Sequence, residues 1–333
     1  MGEQSQAYQG YDLIGDVHGC AHTLRHLLEK MGYRKVNGVY SHPRRQAVFV
    51  GDIVDRGPRI REALHTVRDM VERGSARIVM GNHEYNALGY CTRARPGSDQ
   101  TYLREHNSRH SRLIAETLEQ FANHPHEWNE FLEWFYTLPL FLELPRFRVV
   151  HACWDDHLIR QFQKTHNSEG LIDEDFLHAS TVRGSFAGKV MDRLLRGTDM
   201  RLPDGMTMTS TDGYTRRFFR TKFWAENPET YSDVVFQPDP LPASIAQKPL
   251  SKEDKAQLIT YGERERPVFI GHYWRSGNPA PIKHNVACLD YSAVKYGKLV
   301  AYRMDDEQVL SSDKFVWVSV ERPESPKAKN PDA

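Results

Sequence analysis

The chain has 333 residues, enough for one large domain or two smaller ones with a substantial buried core. Lysine plus arginine and aspartate plus glutamate both number 44, so no whole-chain charge excess favours nucleic acid or an acidic membrane surface as a partner. The four cysteines are widely separated, which favours free thiols in a reducing compartment over disulfides or a zinc knuckle. Residues 1–10 lack the order of a signal peptide, and no uninterrupted apolar run reaches the roughly 18 residues of a membrane span. We therefore expect a cytoplasmic protein.

Three strand, loop and helix units follow one another from residue 11 onward. Each begins with a short apolar stretch that predicts a strand, at residues 11–14, 47–50 and 77–80. A polar loop follows each strand, reading GDVHG, GDIVDRG and GNHE in turn. After the first two loops, apolar residues recur at the i, i+3, i+4, i+7 spacing of an amphipathic helix, and a third helix is expected after GNHE. Consecutive βα units predict an α/β layered fold.

The rest of the chain is less regular. Further helices are predicted at 110–123 and 127–137, and further strands at 147–150, 267–270, 286–289 and 298–302. Residues 155–262 are predicted to be mostly irregular, as an insertion over or beside the cleft of a single domain at 11–321. Residues 1–10 form an N-terminal extension, and the tail at 322–333, rich in proline and charge, is expected to be disordered.

Polar side chains gather at the strand ends, where open α/β sheets bind their ligands. The candidates are Asp16, His18, Asp52, Asp55, Arg56, Asn82, His83, His151 and His272. Oxygen and imidazole ligands together suit manganese, iron, cobalt, nickel or zinc better than calcium. A carboxylate can bridge two such ions about 3.5–4 Å apart. Any one of these residues alone is explained by ordinary strand-end polarity, but together they predict a two-metal site.

The ordered motifs GDVHG, GDIVDRG and GNHE, with isolated histidines in HACW and GHYW, resemble the calcineurin-like metallophosphoesterases of the PPP type. That family includes Ser/Thr protein phosphatases and bacterial dinucleoside tetraphosphatases. The resemblance covers residues 11–152 and resumes at 267–303. It implies a metallophosphoesterase-type sandwich of β-sheets flanked by helices, in four α/β/β/α layers.

The resemblance also implies roles for the candidates, by motif position. Asp16 and His18 would hold a first metal ion, and Asp52 would bridge both ions. Asn82, His151 and His272 would complete the coordination of the second ion. Arg56 would clamp the phosphate oxygens, and His83, oriented by Asp55, would protonate the leaving oxygen. The implied reaction is attack by metal-bridging hydroxide on phosphorus, with manganese as the expected metal and iron, zinc, cobalt or nickel as alternatives.

Two departures from the family pattern stand out. HAC at 151–153 replaces the more usual HGG or HAG. Protein phosphatases of the family place a second phosphate-binding arginine after an apolar-Trp segment, but here no arginine follows that segment, at 222–224, until Arg264. The candidates for this role are Arg220, which precedes the segment, and Lys222, which lies within it. Trp154, Trp224 and Trp274 could stack on a nucleobase if they line the cleft, or could pack in the core.

We expect a phosphatase that acts on a phosphorylated substrate, either a phosphoprotein or a nucleotide, without stable nucleic-acid binding. The C-terminal strands are similar to those of the dinucleoside tetraphosphatase branch, so a symmetrical dinucleoside tetraphosphatase is the alternative. A non-catalytic scaffold of the same fold is a further alternative, but it predicts a broken ligand set, whereas every expected ligand is present here. Oligomeric state leaves no signature in the sequence.

Overall fold

The structure is a computed structural model that describes residues 8–209, 215–236 and 241–321. The strands are β1 (Gly10–Ile14), β2 (Arg34–Val36), β3 (Val39–Ser41), β4 (Arg45–Phe49), β5 (Ala76–Ile78), β6 (Phe141–Glu143), β7 (Arg148–Val150), β8 (Thr198–Arg201), β9 (Met208–Thr209), β10 (Thr215–Arg216), β11 (Phe218–Thr221), β12 (Val268–Ile270), β13 (Val286–Cys288), β14 (Asp290–Tyr291), β15 (Lys298–Met304) and β16 (Phe315–Ser319). The helices are α1 (Ala21–Lys30), α2 (Ile60–Glu72), α3 (Asn82–Cys91), α4 (Ser108–Phe121), α5 (Pro125–Phe135), α6 (Asp156–Thr165), α7 (Glu174–Ser180), α8 (Phe186–Arg196), α9 (Tyr231–Val234), α10 (Ala243–Ala246) and α11 (Lys252–Gln257).

Two β-sheets form the centre of the fold. In the larger sheet, β1, β4 and β5 are parallel neighbours, and the antiparallel β15 joins β1 to β14 and β16. In the smaller sheet, β13, β12 and β7 are parallel, with β6 antiparallel at the edge. The strands of βα units lie parallel because each helix returns the chain to the same edge. The parallel β1, β4 and β5 therefore confirm the α/β organisation predicted from the three loops.

Alternate residues of the strands face opposite sides, which gives the molecule its layers. Leu13 and Val48 of the larger sheet share one buried cluster with Val149 and Phe269 of the smaller sheet, so this cluster fills the space between the sheets. Their neighbours in sequence face the helices instead. Phe49, for example, belongs to the cluster that contains the buried faces of α1 and α2. The expected sandwich of sheets flanked by helices is therefore present.

The two helices predicted at 110–123 and 127–137, α4 and α5, each begin two residues earlier than their periodicity predicts. α4 begins at Ser108 because the Asn107 side chain accepts the backbone N–H of His110 at 2.9 Å and caps the helix. α5 begins at Pro125, whose fixed φ and missing N–H suit the first position of a helix. Both caps come before the first apolar residue, so the hydrophobic pattern alone does not show them.

The region predicted to be mostly irregular, 155–262, contains regular structure, which corrects that expectation. It holds α6 to α11 and β8 to β11, and α6, α7 and α8 are capped by Asp155, Asp173 and Ser185. α8 buries Val190 and Leu194 on one face, a pattern that the neighbouring glycines obscure in the sequence. A separate small core follows at residues 200–250. The tail at 322–333 and residues 1–7 lie outside the described residues.

All four cysteines are free, as their spacing predicts. Cys153, beside a predicted metal ligand, is fully buried, and burial raises the pKa of its thiol. Within the described part of the chain, no helix is both long and apolar enough to cross a membrane.

Candidate metal centre

The loops at the carboxyl ends of β1, β4, β5, β7 and β12 meet at one end of the sandwich. β1, β4 and β5 come from the larger sheet and β7 and β12 from the smaller one, so the predicted ligands converge only because the two sheets pack face to face. Asp52 lies at the centre of the group. Its Oδ2 is 3.3 Å from His151 Nε2, 3.6 Å from His18 Nε2 and 4.0 Å from His83 Nε2. Asp16 also belongs to this cluster, since one of its carboxylate oxygens lies within 4.8 Å of ligand atoms of Asp52 and His151.

The other two predicted ligands meet at Asn82. Its Oδ1 is 2.7 Å from His272 Nδ1 and 3.2 Å from His151 Nε2. His272 is also tied to the first loop, because its backbone N–H donates to Asp16 Oδ2 at 3.2 Å. All six predicted metal ligands are thus brought together, and each is buried.

Backbone contacts fix which imidazole nitrogen faces the centre. His18 Nδ1 is 2.8 Å from the Val54 carbonyl oxygen, and His151 Nδ1 is 2.7 Å from the Val50 carbonyl oxygen. Each contact leaves Nε2 directed at Asp52. Holding one nitrogen to a carbonyl selects the tautomer that leaves the other free to bind a metal.

The buried charges of the cluster would be stabilised by an added positive charge. Burial raises the pKa of Asp16 well above its usual range, and the nearby carboxylate of Asp290 raises it further. Burial would also raise the pKa of Asp52, but the imidazoles, with His151 foremost, hold that pKa well below its usual range. Burial opposes a charge on His151 as well, yet Asp52 raises the pKa of this imidazole to about 10. A cation bound between these groups would take the place of the proton on His151.

One buried polar atom supports the same conclusion. Asp16 Oδ1 has no hydrogen-bond partner within the described ranges. A Cβ added at Gly271 would lie 2.1 Å from this oxygen, so only glycine leaves room for it. Buried polar atoms are nearly always paired, and a carboxylate oxygen kept clear in this way suits a metal ion. The donor set of carboxylate, amide and imidazole therefore fits divalent transition metals.

The backbone is strained at several candidate residues, which supports their assignment to a functional site. Ten non-glycine residues of the described chain have a positive φ, and five of them are predicted site residues, namely His18, Asp52, Asp55, Arg56 and His272. Side chains disfavour this left-handed conformation, at roughly 1–3 kcal/mol per residue. Such strain collects at functional sites, where side-chain placement outweighs its cost.

The predicted acid pair is in place. His83 Nδ1 is 2.6 Å from Asp55 Oδ2, and the Thr117 hydroxyl donates to the other oxygen of Asp55 at 2.6 Å. His83 Nε2 is left facing the Asp52 side of the cluster. Thr117 lies on α4, far along the chain from the loops, and no motif in the sequence marks it.

Glu84 is a second residue whose role sequence reasoning missed, although it closes the GNHE motif. It is fully buried, and its carboxylate accepts backbone N–H groups of Ile53 at 2.7 Å, Asp52 at 2.9 Å and Gly81 at 3.0 Å. One side chain thus fixes the loop after β4 against the start of α3, and with it the position of Asp52.

The two candidates for a second phosphate-binding residue differ in position. Lys222 Nζ donates to the Asp233 carbonyl oxygen at 3.5 Å, within the small core region. Arg220 is close enough to His272 to lower the pKa of that imidazole, after the larger effect of burial. Arg220 and Arg56 also repel each other, so the two guanidinium groups lie near one another. Arg220 is therefore the better placed of the two.

Of the three tryptophans that could meet a nucleobase, two are core residues. Trp154 is 2% exposed and Trp224 is 7% exposed, whereas Trp274 is 39% exposed. Arg56 Cζ lies 5.7 Å from the centroid of the Trp274 ring, so this tryptophan borders the metal centre.

Comparison with known proteins agrees with the motifs. The model of the calcineurin-like phosphoesterase family matches residues 12–202. A bis(5'-nucleosyl)-tetraphosphatase PrpE (asymmetrical) of Oceanobacillus iheyensis is 36% identical over 156 residues, which is 46% of this chain and 60% of that protein. The protein of the same name from Halalkalibacterium halodurans is 47% identical over 74 residues, 22% of this chain and 30% of that one. The chain thus spans 60% and 30% of the length of these relatives.

Two solved structures share the general arrangement at low identity. A putative diadenosine tetraphosphatase aligns over 95% of each chain with 16% identity and a TM-score of 0.43. A protein serine/threonine phosphatase from Saccharomyces cerevisiae aligns over 97% of this chain and 83% of that chain, with 16% identity and a TM-score of 0.48. Superpositions this loose identify neither an activity nor a substrate.

Proposed function

Since the chain belongs to the calcineurin-like phosphoesterase family, we propose that it is a metal-dependent phosphatase of the PPP type that hydrolyses phosphate esters or anhydrides. The observation that carries this proposal is the Asp52 carboxylate, buried among the imidazoles of His18, His83 and His151. A non-catalytic scaffold has no need to keep such a charged cluster out of water.

The chain's own residues provide binding and proton transfer. Asp16, His18, Asp52, Asn82, His151 and His272 would hold two divalent cations, with manganese expected. When bound, these cations would activate water and neutralise charge on the phosphate. Arg56, and Arg220 beside His272, would bind phosphate oxygens through planar, permanently charged guanidinium groups.

Leaving-group departure would depend on His83. With its Nδ1 held by Asp55, the imidazolium form of His83 would present an Nε2 proton to the departing oxygen. Thr117 keeps Asp55 from rotating away, so the imidazole stays in one orientation. The loops exclude bulk water from this pair, since both side chains are almost completely buried.

The substrate is either a nucleotide or a phosphoprotein. A dinucleoside tetraphosphate is favoured by the names of the matched relatives, which specify asymmetrical cleavage. The symmetrical mode suggested by the C-terminal strands stays a prediction, as does a cytoplasmic location.

Substitution of Asp52 by asparagine tests the proposal. Losing the central charge should lower manganese-dependent hydrolysis of p-nitrophenyl phosphate at least about 100-fold, because the metals hold the reacting groups. Asp155→Asn is the matched control, since Asp155 caps α6 and is not a candidate metal ligand, so this variant should keep the wild-type activity. Manganese binding, measured by calorimetry, should be weaker in Asp52→Asn than in the wild type and unchanged in Asp155→Asn. Undiminished turnover in Asp52→Asn, or no metal-dependent turnover in the wild type, would overturn the proposal.

A further inference from the structure

An exposed aromatic ring with two cations lies beside the metal centre. Trp274 follows the ligand His272 by two residues and is 39% exposed. Lys295 Nζ lies 3.4 Å from the centroid of the Trp274 ring, and Arg56 Cζ lies 5.7 Å from the same centroid. Both distances are measured to the same ring centroid. Lys295 Nζ and Arg56 Cζ are therefore separated by no more than the sum of the two distances. The two cations therefore border one patch.

Among the described residues, neither cation is neutralised by an ion-pair partner. In residues 8–209, 215–236 and 241–321, no hydrogen bond or ion pair is found for the side chain of Arg56 or of Lys295. Burial lowers the pKa of Lys295, and repulsion from Arg56 lowers it further. Asp290 attracts Lys295 but is buried and forms no ion pair with it. Two adjacent, unpaired cations repel each other until an anion binds between them.

The backbone holds Lys295 in place at some cost. Lys295 ends a 3₁₀ turn, Ala293–Lys295, which lies between Ser292 at φ 56° and Tyr296 at φ 60°. Both residues adopt the left-handed conformation that favours glycine. The turn is closed tightly, because the Gly297 N–H donates to the Ser292 carbonyl at 3.1 Å and a Cβ at Gly297 would lie 2.1 Å from a backbone oxygen. A strained turn that fixes an unpaired lysine beside the reaction centre indicates a binding role.

A cavity lined in part by Tyr85, Asn86 and Gly89 of α3 is a weaker candidate for an anion. It has a volume of about 620 Å³ and contains Arg104 and Arg196. Asp99, Glu105 and Asp192 also line it, and Asp192 already pairs with Arg196 at 2.6 Å. Its carboxylates offset its arginines, whereas no carboxylate of the described residues forms an ion pair with Arg56 or Lys295.

We propose that Arg56, Trp274 and Lys295 form a second anion subsite, which binds a phosphoryl group attached to the one under attack. This inference rests on the proposed function. Arg56 would contact the reacting phosphoryl group, and Lys295 the next one along a phosphoanhydride. A monoester of a protein side chain has no second phosphoryl group. The subsite thus selects phosphoanhydrides, the linkage of nucleoside polyphosphates, over phosphoproteins.

Binding of inorganic pyrophosphate and of inorganic phosphate to the manganese-loaded protein tests the subsite, by calorimetry at fixed free manganese. Lys295→Ala should weaken pyrophosphate binding about tenfold, the loss of one charge-assisted contact, and change phosphate binding less than about twofold. Lys295→Arg should keep pyrophosphate binding. Lys298→Ala is the matched control, because Lys298 lies in the same segment but contacts the Gly277 carbonyl and the Trp317 ring. It should change neither affinity.

The subsite is overturned if Lys295→Ala leaves pyrophosphate binding unchanged, or weakens both ligands equally. It is also overturned if Lys298→Ala reproduces the effect, since the cause would then be a looser loop. Hydrolysis of p-nitrophenyl phosphate separates this failure from that of the proposed function. A wild type without metal-dependent turnover disproves the function, whereas a wild type with turnover but without pyrophosphate preference disproves the subsite alone.

Discussion

At the scale of single residues, the pair of Asp55 and His83 shows how position creates chemistry. An exposed histidine exchanges its proton freely and turns in any direction. Here one nitrogen is held at 2.6 Å from Asp55 Oδ2, and Thr117 holds Asp55 in turn. The remaining nitrogen, Nε2, is left facing Asp52 in the cluster, where the predicted acid would act.

This arrangement predicts that the loss of activity in His83→Ala depends on the leaving group of the substrate. Hydrolysis of phenyl phosphate, whose leaving group requires a proton, should fall at least about 100-fold. Hydrolysis of p-nitrophenyl phosphate should fall much less, because p-nitrophenolate departs without protonation. Steady-state kcat with both substrates measures the difference. An equal loss with both would contradict an acid role and leave His83 with a structural one.

Elements are joined by contacts that the motifs do not contain. Glu127 of α5 binds the α2 residue Arg61 with Nε–Oε1 at 2.8 Å and Nη2–Oε2 at 2.9 Å, and His65 of α2 approaches at 2.5 Å. These contacts clamp α2, which follows the Asp52 loop, against α5. The Arg61 hydrogen bond, followed by that of His65, lowers the pKa of Glu127 to about 2.

The clamp predicts a stability difference that depends on pH. The pKa of Glu127 is lower in the folded chain than its ordinary 4.5, so its contribution is present above about pH 4.5 and fades as pH falls toward 2. Glu127→Gln should lower the free energy of unfolding at pH 7 by no more than about 1 kcal/mol, since Arg61 is 43% exposed and solvent screens the pair. Urea unfolding at pH 7 and pH 3.5 measures this.

Glu130→Gln is the control for that measurement, because Glu130 is 68% exposed and only 4.0 Å from Arg68. Its effect should be small at both pH values. A Glu127→Gln effect that stays constant down to pH 3.5 would show that packing, rather than charge, joins the helices.

At the scale of the whole molecule, the candidate metal centre draws its residues from both sheets. Asp52 follows a strand of the larger sheet and His151 a strand of the smaller one, and their side chains are 3.3 Å apart. Without cations, the buried carboxylates of Asp16 and Asp52 repel each other. Ligands that bind only the folded state stabilise it by mass action.

Metal removal should therefore lower the melting temperature of the whole chain. Manganese at 100 times its dissociation constant should add about 2.7 kcal/mol to the free energy of unfolding, and a chelator should abolish this gain. Thermal unfolding with manganese or with a chelator measures the shift, which should vanish in Asp52→Asn. A wild type that melts at one temperature under both conditions would argue against a site shared between the sheets.

Local patterns allowed much of this molecule to be predicted from its sequence. Strand and helix periodicity identified the βα units, because burial repeats every two or every 3.6 residues. The motifs singled out Asp16, Asp52 and His83 as candidates because each loop follows directly on its strand, and the structure brings the three residues into one cluster. The helices that begin at Ser108 and Pro125 were each predicted to begin two residues later, since the residues that start a helix lie outside the apolar pattern.

The sequence by itself determined which side chains stand at the strand ends, and hence the candidate metal ligands and the resemblance to the family. Only the tertiary structure decided which distant residues join them, because such contacts depend on how the sheets and helices pack. It brought Thr117 to Asp55, placed Arg220 rather than Lys222 near His272, and exposed Trp274 beneath Lys295. The residues in these contacts are not related by a helix, strand or motif spacing, so no sequence pattern predicts the contacts.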